Sequence, residues 1–390
     1  MNEPSLSICV KLCYNSNMRK TFEYRAYPTK RQATTMLRIL EECRWVFNQT
    51  LALRKDAWEQ DSVSVSLYAT NAFLPKWKQE RPTLSMVYSQ VLQDVQERVD
   101  LAFKAFFRRV KAGEQPGYPR FRGNGRYDSF SYPQFGFSLD DDSVKVAKLG
   151  VLKIELHRPI EGKLKTLTLR RHSTGKWYAS FSCEVESTPL PISEKAVGID
   201  VGLTSFATLS NGEKVANPRF LRRDERDLAK AQRKLSKVDK GTPARVFRRK
   251  AVSHIHERIA NRRKDFTHKL SRRLVNEYGI IALEKLNTKG MLHNHCLAKS
   301  IADAAWFQLV QFVSYKAEYA GRSVVLVDPR NTSKRCSRCG SLVDKSLSDR
   351  IHSCPVCGLI IDRDLNASIN ILALGLESLG VSPRSSRIYP

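Results

Sequence analysis

Residues 336–370 read CSRCGSLVDKSLSDRIHSCPVCGLIIDRDLNASIN, and they combine two kinds of chemistry in one short stretch. Cys336, Cys339, Cys354 and Cys357 are spaced C-x2-C-x14-C-x2-C with a glycine after each pair. Two such tight turns can present four thiolates to one tetrahedral Zn2+, a closed site whose role is structural rather than catalytic. Asp362 and Asp364 follow at the mouth of a helical pattern, LNASINIL.

Two further acids lie far upstream. Asp200 ends the apolar run AVGID, and Glu284 ends IIALE. A carboxylate closing an otherwise apolar strand is costly to bury unless something positive compensates it. If Asp200, Glu284 and Asp364 converge, they repel one another, and Mg2+ relieves that repulsion. Two such ions activate a water and stabilise the leaving oxygen in phosphodiester hydrolysis. Each acid also has a plainer reading. Asp200 can be a turn residue before Gly202, Glu284 a surface acid beside Lys285, and Asp362 or Asp364 a helix N-cap. His293 and His295 in MLHNHC read as a polar loop, and Asp303 as a helix-interior acid outside the site.

Elements that could position these groups follow from periodicity. Residues 18–27 alternate as a strand. Met36, Leu37, Leu40, Cys43, Val46 and Phe47 form a helical stripe, as do Val87, Val91, Val95, Val99, Phe103 and Phe106. From 127 to 186 the chain alternates as strands, with HSTG as a hairpin turn, and the first strand completes that sheet. STPLPISEK, rich in Pro and Ser, is the domain boundary. Beyond it come a strand ending at Asp200, a second strand, an Asn-Gly turn, a basic helical hairpin broken by GTP at 241–243, the strand carrying Glu284, one helix SIADAAWFQLVQFVSYKAEYAG and the strand SVVLVDP.

Composition narrows the partners. The 390 residues are 42% apolar, enough for two to four globular domains. Lys and Arg number 66 against 39 Asp and Glu, a formal charge of +27 that attracts a polyanion, above all nucleic acid. Residues 219–273 hold 20 Lys or Arg against 6 Asp or Glu, a net +14 that is half of the excess. Of nine cysteines only four form close pairs, so the pattern fits a reducing compartment and not a disulfide framework. No run of 18 apolar residues exists, so no membrane partner is expected and the location reads as cytoplasmic and nucleoid-associated. Met18 opens the first strand, so residues 1–17 read as an upstream N-terminal extension.

The segments GIDVGL, IIALEKLN, LAKSIADAAW, TSKRCSRCG, CPVCG and DRDLNASINIL together closely resemble the TnpB family, transposon-encoded RNA-guided DNA endonucleases related to the type V CRISPR effectors. The likeness is strong over 196–374 and mainly one of layout over 18–186. It implies an α/β RNase H-like (RuvC) nuclease domain at 196–331 and 360–380, interrupted by an inserted zinc ribbon at 332–359. It also implies a β-barrel-like (wedge) domain at 18–35 and 116–188 with an inserted helical recognition domain at 36–115, and a tail at 381–390. Asp200, Glu284 and Asp364 become the Mg2+-binding catalytic acids, with Asp364 rather than Asp362 taken from the DRDLN pair. Cys336, Cys339, Cys354 and Cys357 hold Zn2+. The partners become a guide RNA derived from the transposon end and a target DNA cut next to a short flanking motif, with the Lys and Arg of 219–273 on phosphates. The competing class is a protein that binds without cutting, either an RNA-guided repressor or a zinc-ribbon accessory factor of transposition. The intact acids argue against it, and a DNA-joining transposase lacks a Tyr or Ser nucleophile motif.

Overall fold

A computed structural model describes residues 18–346 and 348–381. The expected extension at 1–17 and the tail beyond 381 lie outside the described residues. The chain divides into two compact units, with the boundary between Glu186 and Ser187 at the start of the Pro/Ser-rich stretch. No described helix is long and apolar enough to cross a membrane.

The first unit begins with β1 (Met18–Tyr27) and runs through four helices, α1 (Lys30–Asp61), α2 (Leu67–Asn71), α3 (Leu74–Glu80) and α4 (Ser89–Lys111). Thr29 opens α1 with a capping box, its hydroxyl accepting from Gln32 N while the Gln32 side chain accepts from Thr29 N. Met36, Leu40, Cys43 and Phe47 of α1 are buried, as are Val91, Val95, Val99 and Phe103 of α4. Leu37 departs from the expected stripe, because its place on the helix turns it outward at 41% exposure. Six strands follow: β2 (Ser129–Tyr132), β3 (Phe137–Asp140), β4 (Ser143–Val146), β5 (Gly150–Glu155), β6 (Lys163–Arg171) and β7 (Trp177–Val185). They join β1 in an antiparallel sheet of order β2-β6-β7-β1-β5-β4-β3, with β1 between β7 and β5. The edge strands β2 and β3 are consecutive in the chain and joined only by residues 133–136, so the sheet curls until its edges nearly meet.

The second unit opens with β8 (Ala196–Val201), β9 (Ser205–Leu209) and β10 (Lys214–Ala216). A helical hairpin follows, α5 (Phe220–Ser236) and α6 (Pro243–Glu277), then β11 (Ile280–Glu284), α7 (Thr288–Met291), α8 (Ala298–Ala304), α9 (Trp306–Ala320) and β12 (Ser323–Val327). β13 (Ile351–Ser353) and β14 (Ile360–Asp362) pair antiparallel, and α10 (Arg363–Ser378) ends the described chain. Thr242 caps α6 and Pro243 occupies its first turn, which is why GTP reverses the hairpin there.

The five-stranded sheet has the order β10-β9-β8-β11-β12. β8, β9 and β10 form an antiparallel meander, while β11 runs parallel to β8 and β12 parallel to β11. On one face Ile199, Phe206 and Leu283 pack with Leu270 and Leu274 of α6 and with Trp306, Leu309 and Val313 of α9. On the other face lies α10, its Ile371 packed with Ala282 and Val327. α10 comes this close only because residue 198 is glycine: a Cβ there would lie 2.1 Å from Ser368 O and 2.6 Å from Leu372 N. The helix expected over 300–321 is instead two, broken at Ala305 in the left-handed region with φ 52°.

Candidate active site and cysteine cluster

Register brings the first two acids together. β8 and β11 are parallel neighbours with Ile199 opposite Leu283, so Asp200 and Glu284 occupy the next step at adjacent strand ends. Side chains alternate along a strand. Ile199 and Leu283 belong to the helical core on one face, whereas Gly198 and Ala282 meet α10 on the other. Asp200 and Glu284 therefore share the α10 face. On α10, Ser368 and Leu372 ride over Gly198, and Asp364 sits one turn before Ser368, at the height of Asp200.

The electrostatics of the site are set first by burial and then by neighbouring charges. The Asp200 carboxyl is pushed up to about 8 by burial, then by the negative charges of Glu284 and Asp364, with Arg363 opposing and Asp362 adding a smaller push. Burial also raises Glu284, against the Thr332 hydroxyl, which donates to its Oε1 at 2.6 Å. Desolvation is likewise the largest influence on Asp362, but Lys214 Nζ at 2.6 Å and the Leu365 and Asp364 amides outweigh it and hold this carboxyl low. Asp362 is thus the N-cap of α10 and an ion-pair partner, and of the two acids Asp364 exerts the larger charge effect on Asp200. Among the described residues, only the four cysteines bring three or more potential ligand atoms within 4.8 Å of one another.

In that cluster Cys336 and Cys357 Sγ are 3.6 Å apart, as are Cys339 and Cys354. Zn–S bonds of about 2.3 Å at tetrahedral angles require S–S edges of about 3.8 Å, so the four thiols fit Zn2+. Each pair closes a tight turn, with Gly340 N donating to Cys336 O at 2.9 Å and Gly358 N to Cys354 O at 3.0 Å. Both glycines have φ near +75°, at +79° and +71°, where a side chain would strain the turn.

Two buried asparagines on α10 fasten this segment to the acids. Asn366 Nδ2 donates to Arg335 O at 2.8 Å, and its Oδ1 accepts from Ser337 N at 3.0 Å. Asn370 Nδ2 donates to Thr332 O at 2.8 Å and to Arg335 O at 2.7 Å. One helix therefore carries Asp364, holds the first cysteine turn and holds the threonine that orients Glu284. Sequence reading missed Thr332, Asn366 and Asn370; the usable signal was the i, i+4 asparagine pair inside an apolar helix. Asp303 also has a defined task. Its two oxygens accept from Leu221 N at 3.1 Å each, and Arg263 donates to it at 2.9 Å, so it caps α5 from another helix. His293 and His295 are exposed loop residues.

A mixed sheet with acids from three separate elements near its strand ends, tied to a four-thiol cluster, defines the class as an α/β protein with a candidate acidic site. A family model described as "Probable transposase" matches residues 180–295, and one for the "Cas12f1-like, TNB domain" matches 306–371. A "Helix-turn-helix domain" model matches 18–62, where this structure has one strand and one continuous helix. Two relatives carry the name "Putative RNA-guided DNA endonuclease". One, from Streptomyces pristinaespiralis, is 39% identical over 93% of this chain and 90% of its own length. The other, InsQ from Escherichia coli (strain K12), is 31% identical over 91% of this chain and 92% of its own. The fold matches a protein from the cryo-EM structure of a Cas12f1-sgRNA-target DNA complex with a TM-score of 0.59 at 13% identity, covering 91% of this chain and 99% of that one. The chain belongs to the TnpB family.

Proposed function

We propose that this chain is an RNA-guided DNA endonuclease whose residues 196–331 and 360–380 form an RNase H-like (RuvC) nuclease domain, with a zinc ribbon inserted at 332–359. The observation that carries this reading is geometric: strand register sets Asp200 and Glu284 at adjacent strand ends, and Gly198 lets α10 bring Asp364 over the same face. Carboxylates from three elements facing one another across a partly buried site make a candidate cation site, and a bound ion would draw them closer together. The oxygen donors suit Mg2+, and Asp200, Glu284 and Asp364 would hold a pair of these ions. Bound there, Mg2+ supplies Lewis-acid stabilisation to the attacking water and the leaving oxygen of a phosphodiester. The chain's own residues set the stage: Thr332 fixes the Glu284 rotamer, Asp362 and Lys214 pin the start of α10, and Gly198 lets Asp364 approach. The order of three antiparallel strands followed by two parallel ones, with helices on both faces, supports the RNase H-like assignment.

The four cysteines would hold Zn2+, and with the chain so fixed the bonds of Asn366 and Asn370 to residues 332–337 would steady the acids. The domain divisions read from sequence stand as part of the proposal, with 18–35 and 116–188 as the wedge, 36–115 as the recognition helices and the transposon-derived guide RNA held there. Basic residues of α5 and α6 meet phosphates in a salt-dependent, sequence-independent way. The test is cleavage of a guide-matched DNA by the protein–RNA complex in Mg2+. Asp200→Ala, Glu284→Ala and Asp364→Ala should each abolish cutting and leave guide binding intact, while Asp362→Ala should slow cutting without abolishing it. Cutting by Asp364→Ala at the wild-type rate would remove the assignment.

A further inference from the structure

A cavity of about 310 Å³ opens in the second unit between the β8–β9 turn, the N-terminal turn of α5, α8 and the strand-flanking residue Arg350. Leu203, Thr204, Arg219, Arg222, Lys299 and Arg350 are among its walls. Its size matches the lower end of small-molecule sites, roughly 300 to 1,000 Å³. Leu203 lies three residues beyond Asp200, so this wall is within about 10 Å of the acidic site along the chain.

The charges in the cavity divide into spent and free. Lys299 is paired with Glu225, and Asp303 is neutralised by Arg263 and by the Leu221 amide. Asp303 also occupies the N-terminus of α5, so that helix end is not what an incoming anion would meet. Arg219, Arg222 and Arg350 face the cavity; Arg222 shares the field of Glu225 with Lys299, and among the described residues no carboxylate forms an ion pair with Arg219 or Arg350. Three guanidiniums around one small concavity, two of them without a carboxylate partner, suit an anion, and Arg forks match phosphate oxygens.

Backbone strain marks the same place. Arg219 stands in the left-handed region at φ 46°, ψ 51°, a conformation that disfavours any residue with a Cβ. Asn217 holds it there: its Oδ1 accepts from Arg219 N at 3.2 Å, and its Nδ2 donates to Leu203 O at 2.9 Å. A glycine would relieve the strain but would remove the guanidinium. An arginine kept in a strained position on a cavity wall, clamped to the opposite wall by an asparagine, is a positioned binding group.

We propose that this cavity seats a backbone phosphate of the cleaved DNA strand next to the bond being cut, with Arg219, Arg222 and Arg350 as its positioning residues. The proposal rests on the nuclease reading above. The seated phosphate fixes the register of the strand across Asp200, Glu284 and Asp364, so the pocket decides which bond reaches the acids.

The full chain with its guide RNA is tested on DNA carrying a neutral methylphosphonate linkage at one position at a time along the cleaved strand. With wild-type protein, one linkage near the cut bond should slow cleavage roughly 10- to 100-fold, the loss expected for a charge-assisted contact. The Arg219→Gly, Arg222→Gln, Arg350→Gln protein should be slower on ordinary DNA, should cut at scattered neighbouring bonds, and should no longer respond to that linkage. Arg219→Gly relieves strain, so a melting temperature at or above wild type verifies that the variant is folded. Equal sensitivity to the linkage in both proteins overturns the pocket and leaves the nuclease reading standing. A wild-type complex that cuts no guide-matched DNA overturns the nuclease reading, and the pocket proposal falls with it.

Discussion

Replacing Asp200 with asparagine should make the magnesium-free protein more stable, and increasingly so as pH rises. A carboxyl near 3.9 in the unfolded chain stands at about 8 in the folded one, so the native state binds its proton more tightly. Its contribution to stability is therefore fully present below about pH 4, declines progressively between about 4 and 8, and is gone above about 8. Asparagine keeps the shape and never ionises. At pH 7 the ceiling on the difference is about 4 kcal/mol, from about 3 pH units at 1.36 kcal/mol each. Partial solvent access and relaxation of the facing acids reduce this to about 2 kcal/mol. In a unit of about 200 residues that is about 4 to 8 °C in melting temperature. Differential scanning calorimetry in magnesium-free buffer without chelator, so that metal on the cysteines is retained, measures it from pH 4 to 9. The variant-minus-wild-type difference should start near zero, climb to pH 8 and then level off. Adding Mg2+ should stabilise wild type more than the variant. A difference that is flat from pH 4 to 8, or a wild type more stable than the variant at pH 7 without Mg2+, would refute the burial of Asp200 beside other acids.

Gly198→Ala drives a methyl into the α10 backbone and should lower stability by about 3 kcal/mol, seen as a shifted urea midpoint; a wild-type midpoint would contradict the close approach. Asn370→Ala strands the buried Thr332 carbonyl, with a loss of about 1 to 3 kcal/mol, and should slow cutting without weakening guide binding. Unchanged cutting would show that Glu284 does not depend on this link. Cys354→Ser should drop the zinc content from about one per chain to none by elemental analysis, and active protein free of zinc would remove that site.

Features encoded by neighbouring residues were legible without coordinates. The spacing of the cysteine pairs with their glycines specifies two turns, and GTP followed by Arg-rich apolar periodicity specifies the α5–α6 hairpin. Asp200 and Glu284 stood out because each ends an apolar strand buried on both faces, where a charge is out of place. Between Asp362 and Asp364 the residues alone left either as the helix cap, and only the family resemblance chose Asp364 as the site acid; in the structure Asp362 is the cap.

What the sequence could not reveal depends on groups that meet across 30 to 150 residues. The break at Ala305 has no breaker residue, and it coincides with Asp303 capping a helix 82 positions away. Lys214 reaches Asp362 across 148 residues, and Thr332 reaches Glu284 across 48. The cavity exists only where the β8–β9 turn, α5, α8 and Arg350 come together. Periodicity determines which face of an element is apolar. Which polar groups then share a volume is decided by strand register and by how closely α10 can settle on Gly198, and those are properties of the packed structure alone.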